Sequence, residues 1–148
     1  VIILADNMKP ENELEQGGFE MPDENDDYGM SDDDIVFVLT ALEALKQDLA
    51  EMLEDETTRP NAQWHIDIAN TTQKKLDNRE LEYSYDEMRV MYIAALQMRD
   101  FMNKILDGKS VSDYDREMAK STLRSANGML RTLRKTFTAN GMDVDDLV

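Results

Sequence analysis

The sequence has no cysteine and a single histidine, His65. The first absence excludes a disulfide framework, a thiolate metal site and a cysteine nucleophile, and the second excludes every multi-histidine metal centre. Long apolar runs are missing too, for nothing approaches the roughly 20 residues needed to span a bilayer. Basic side chains are scarce, 16 against 32 acidic ones, which leaves a formal charge of −16. Such a charge disfavours direct binding of the whole molecule to nucleic-acid phosphates or anionic lipid. No P-loop, dinucleotide fingerprint or serine elbow is present, so no enzyme and no cofactor is expected. What remains is a chain of 148 residues, 41% hydrophobic and 32% charged, suited to one domain with a polar extension.

The charge is uneven. Residues 1–34 carry twelve acids against Lys9 alone, residues 35–108 carry a net −6, residues 109–137 a net +4, and the last eleven residues −3. The acidic character therefore belongs mainly to a leading segment. That segment also holds Pro10, Pro22, Gly17, Gly18 and Gly29, and it shows no sustained periodicity. Its composition buries too little apolar surface to offset an ordering entropy of about 1–2 kcal/mol per residue. Residues 1–30 are thus expected to be an extended acidic arm, either a solubilising leader or a docking element. Val1, Ile2, Ile3, Leu4, Phe19 and Met21 are its candidate partner-binding anchors, the first of them suited to adding a strand to a partner's sheet edge. Met30-Ser31-Asp32 reads like a translation start, so residues 1–29 are either part of a processed chain or an upstream extension.

From residue 31 onward the pattern changes to helix. Ser31 before Asp32, Asp33 and Asp34 is an N-cap followed by acids that suit the positive end of the dipole. Ile35, Val38, Leu42, Leu45, Leu49 and Met52 then recur at steps of 3 and 4, a heptad-like stripe. This first helix is expected to stop at Glu54-Asp55-Glu56. A second helix is expected from Pro60 to about Leu81, on a poorer face of Ala62, Ile66, Ala69 and Leu76. Alternation over residues 62–68 leaves a short strand as the competing assignment there. Ser84 and Glu87 form a capping-box pattern, and Met88, Met91, Ala95, Met98, Met102 and Ile105 repeat the 3–4 spacing. Asp107-Gly108 is expected to end that helix with a left-handed residue. The last helix is expected from Ser112 to Asn140-Gly141, with Leu123, Ala126, Leu130, Leu133 and Phe137 inward.

Four such helices, each roughly 33–40 Å long at 1.5 Å per residue, predict an all-α fold. The expected form is an up-and-down four-helix bundle, or two long helical hairpins completed by a partner copy, over residues 31–140. Residues 141–148 would be an acidic C-terminal tail.

Candidate chemistry is sparse. His65 is expected on the surface or at an interface, since Asp67 points off its helical face and no Glu stands three residues before it for a di-iron site. Asp23–Asp27 and Asp143–Asp146 lack the glycine and distant glutamate of an EF-hand loop, so no metal site is assigned. Eleven methionines include four on the third helix, a flexible set suited to a loosely specified core or to a face that repacks against partners. In a mixture of the two, Met91 and Met98 lie inside and Met88 and Met102 at a seam. Arg116, Lys120 and Arg124 form one basic stripe on the last helix, either paired with acids or offering an anion-binding face.

Asp26-Asp27-Tyr28-Gly29, followed by a helical pair broken at Arg59-Pro60, resembles the small terminase subunits of tailed phages. The resemblance covers a minority of the chain, gives the last two helices no counterpart and supports no residue assignment. It implies a phage-type packaging or structural subunit, and the basic stripe read from the residues would give that alternative a last helix for handling nucleic acid. The residues themselves favour a non-catalytic interaction or assembly subunit with protein partners, a homo-oligomer among them, no membrane contact, and an intracellular soluble or virion-associated location. A DNA-mimic inhibitor is the remaining alternative, but such a mimic should spread its acids over the folded surface, whereas residues 35–148 carry only −5.

Overall fold

A computed structural model of the chain describes residues 19–20 and 30–144. Four helices make up most of it: α1 (Asp32–Glu51), α2 (Arg59–Asp77), α3 (Tyr85–Asp107) and α4 (Asp113–Ala139). The all-α expectation is met. Two-residue strands β1 (Phe19–Glu20) and β2 (Glu82–Tyr83) pair antiparallel, Phe19 opposite Tyr83 and Glu20 opposite Glu82.

The helix starts follow from local chemistry. Ser31 Oγ accepts from the Asp34 amide while the Asp34 carboxylate accepts from the Ser31 amide. Ser84 and Glu87 repeat that box at α3, and Ser112 Oγ accepts from the Asp115 amide at α4. Each cap satisfies amides that the first turn leaves free.

The ends are less regular. After Glu51 the chain tightens into a 3₁₀ turn, Met52–Glu54. The Thr58 hydroxyl then donates to the Met52 carbonyl at 2.6 Å, and Arg59 Nε donates to that of Leu53 at 2.7 Å. Residues 62–68 are helical, so the strand assignment fails there. α2 stops at Asp77, short of Leu81, because Arg79 turns the chain with a φ of 54° and delivers Glu82–Tyr83 to the strand pair. Gly108 does not take the expected left-handed conformation; its φ is −71°. Glycine suits the close approach there, since a Cβ would lie 3.0 Å from Val111 Cγ2 and 3.2 Å from the Ile105 carbonyl oxygen, and its neighbours would have to give way. Gly141, at φ 76°, does end α4 as expected, and the Met142 amide donates back to the Phe137 carbonyl at 2.9 Å, closing a Schellman turn.

The core forms around α3, which packs against each of the other three helices. Every residue from Tyr85 to Ala95 is buried. α1 contributes Val38, Leu42, Leu45 and Leu49, and α4 contributes Ala126, Met129, Leu130, Leu133 and Phe137. Leu123 is only half-buried. α2 brings Ala62, His65, Ala69, Thr72 and Leu76 inward, a stripe at the spacing of one helical face interrupted by two polar residues. Met88 and Met91 are fully buried, Met98 is buried and Met102 is half-buried, so of the two methionines expected at a seam only Met102 approaches one.

Candidate functional site

Two arrangements stand out: a buried polar cluster where α2 meets the start of α3, and an open groove along α1, α3 and α4.

His65 belongs to the first, and the expectation of a surface histidine is corrected, for it is 1% exposed. Its ring meets that of Trp64 edge-on at 4.7 Å, and its Nδ1 lies 2.8 Å from the Asn61 carbonyl oxygen. A carbonyl only accepts, so Nδ1 carries the proton and Nε2 is left with its lone pair. Burial is the main cause that lowers its pKa to about 4, with the nearby Arg89 charge adding to it against the Asn61 hydrogen bond. A base held that low takes few protons at neutral pH.

Arg89 is 7% exposed, with its guanidinium 5.6 Å from the Trp64 ring centre and 5.8 Å from that of Tyr85. Asp86 stands 3.8 Å from Nη2. Two aromatic rings and one carboxylate hold the charge in place. Glu87, also buried, accepts from Lys75 Nζ at 2.7 Å with the same oxygen, Oε1, that caps α3. Tyr83, fully buried at β2, has its phenol pushed well above the usual range by burial and then by Glu87 and Glu80. These groups tie α2, β2 and α3 together. Among the described residues no three acidic or histidine side chains are grouped to hold a metal ion.

The groove has a volume of about 1110 Å³. α1 lines it with Asp33, Val36, Phe37, Thr40, Ala41, Ala44, Gln47 and Asp48, the 3–4 spacing of a single helical face. α3 contributes Ala94, Gln97, Met98, Phe101 and Lys104 at the same spacing, and α4 contributes Met118, Ser121, Thr122 and Ser125. The walls mix small residues and methionines with Val36, two phenylalanines and charged groups. Val36, Phe101 and Met118 are 62%, 57% and 52% exposed. The Gln97 amide donates to the Asp48 carboxylate across the floor.

Apart from the methionines of the third-helix stripe, none of these groove residues is a partner-binding candidate in the sequence. The α1 face that lines the groove lies beside the heptad stripe, and its apolar members are diluted by Thr40, Gln47 and two aspartates. A second periodic set at 36–37, 40–41 and 44 was the available signal.

The candidates that were assigned fare differently. Val1, Ile2, Ile3, Leu4 and Met21 lie outside the described residues. The backbone of Phe19 pairs within the chain, on β2. Arg116, Lys120 and Arg124 all lie on α4, but Arg116 donates to the carbonyls of Leu106 and Gly108 at 3.2 and 3.3 Å. It caps the end of α3. Lys120 stands 3.5 Å from Glu117 in an exposed pair, and Arg124 is exposed. Farther along, Arg134 Nε donates to the Tyr92 hydroxyl at 2.9 Å. No described helix is long and apolar enough to cross a membrane. No family model, curated protein or solved structure matches the chain, so no site residue is carried over from a relative.

Proposed function

We propose that the chain is a non-catalytic interaction or assembly subunit, with an up-and-down helical body, residues 31–140, that binds protein partners and an acidic N-terminal arm that assists docking. The observation that supports it is the open groove. Three helices each turn a stripe toward one channel, and large apolar side chains there remain more than half exposed. An exposed apolar channel rimmed by polar groups is the usual mark of a protein-binding surface. The arm adds charge for steering. Arg116 is engaged in capping α3, which removes one of three cations from any anion-binding use of α4.

The test is the particle mass of the full chain in its native preparation, with and without Val36→Lys and Phe101→Lys. Native particles well above the 17.0 kDa of the chain, reduced to that mass by the double substitution, would support the proposal. A lone 17.0 kDa particle in the unsubstituted preparation would overturn it.

A further inference from the structure

We infer that the groove binds an amphipathic helix of a partner protein, with lysine or arginine flanking its apolar stripe. The inference rests on the protein-binding role proposed above and names the occupant.

The shape favours a helix. The α1 lining runs from Asp33 to Asp48, about 22 Å at 1.5 Å per residue, the length of a four-turn segment. Ala41 and Ala44 on α1 and Ser121 and Ser125 on α4 leave room between the two walls for a backbone to approach. Met98 and Met102 on α3 supply a floor that adapts to the side chains laid on it. A helix seated there would place residues i, i+3, i+4 and i+7 against Val36, Phe101 and Met118, the groove-binding pattern of amphipathic helices.

The charges choose the flanks. Four charged side chains line the groove, and three of them are acidic: Asp33, Asp48 and Asp100, against Lys104. Asp100 has Arg99 beside it at 3.3 Å, but that pair is open to solvent, where it gains little. Asp33 opens on the first turn of α1 next to Asp32 and Asp34. A second copy of the chain carries a net −16, of which −11 lies on residues 1–34, and residues 1–18 bring four acids against Lys9. Complementarity therefore favours a cationic partner over both.

Binding of synthetic helices to the full chain tests this. One peptide of about 16 residues, long enough to fill about 24 Å, carries leucine on one face and lysine at the flanks; a second replaces the lysines by glutamate. The lysine peptide is expected to bind at least about tenfold more tightly, which is about 1.4 kcal/mol, and the advantage should shrink as salt screens exposed charge. Asp33→Asn with Asp100→Asn should narrow the preference. Val36→Lys with Phe101→Lys should weaken the lysine peptide by more than about tenfold while leaving the melting temperature unchanged.

Equal binding of both peptides, or none, would overturn the inference. So would self-association of the chain that the Val36→Lys and Phe101→Lys pair abolishes, because the occupant would then be a second copy. Displacement of the lysine peptide by a peptide of residues 1–18 would overturn it in favour of the chain's own segment. Self-association is read on the purified chain alone, whereas the native particle mass, read with any other chains present, tests the interaction role itself.

Discussion

The two halves of α3 have the same periodic pattern and live in different surroundings. From Tyr85 to Ala95 every side chain is buried, Asp86, Glu87 and Arg89 included. From Leu96 to Asp107 only Met98 is buried, and Phe101 stands more than half exposed. The methionine stripe continues through both. A heptad-like repeat thus records which side chains can pack, while the number of neighbouring elements decides whether they do. α2, β2 and α4 enclose the first half, and the second half forms the floor of the open groove.

The contrast can be broken by truncation. Met91→Ala should cost about 2–5 kcal/mol, whereas Met102→Ala, at a half-buried position, should cost about 1 kcal/mol or less. Chemical denaturation of the two variants checks this, and equal losses would erase the distinction between the halves. Next in size is Glu87→Ala, which removes the α3 capping oxygen and leaves Lys75 without its carboxylate; a loss of about 2–4 kcal/mol is expected. Glu87→Gln should recover part of that loss by keeping a side-chain oxygen near the cap.

A smaller effect follows from His65. Its pKa in the fold is about 4 against an ordinary 6.5, so the unfolded chain binds the extra proton between those values. The stabilisation is complete above about pH 6.5 and is lost as pH falls toward about 4, at most roughly 3.4 kcal/mol. The stability difference between the native chain and His65→Gln should therefore change across that window and be level above it. Smallest is Phe101→Lys, expected to move stability by no more than about 0.5 kcal/mol, as exposed substitutions do. A large loss would show that the groove side of α3 is part of the core.

Much of the fold was legible because its signals are local. Ser31, Ser84 and Ser112 each cap a helix within three residues, and the stripes of α1, α3 and α4 are apolar enough to be read directly. The inward face of α2 was harder, because His65 and Thr72 occupy its core positions. Thr72 spends its hydroxyl on the Ile68 carbonyl at 2.7 Å, and neither residue looks apolar in sequence. The burial of Arg89 depends on Trp64, far away along the chain, so no local pattern announces it. The groove is announced only weakly. Its α1 set at 36–37, 40–41 and 44 is diluted by polar residues, and Phe101 and Met118 join it only when the helices bring their faces together.

The Arg116 bridge to the end of α3 has a consequence for the order of folding. Gly108 to Val111 is a short loop, and closing a short loop costs little chain entropy. One guanidinium bonded to the Leu106 and Gly108 carbonyls holds the turn once it forms. The α3–α4 hairpin can therefore assemble from near neighbours in sequence, while β1 must return across more than sixty residues to reach β2. Contacts of low sequence separation form fastest, so the hairpin is the expected nucleus and the strand pair the last element to close. Substitutions such as Leu130→Ala should slow refolding, whereas changes at β1 should act on the unfolding rate alone.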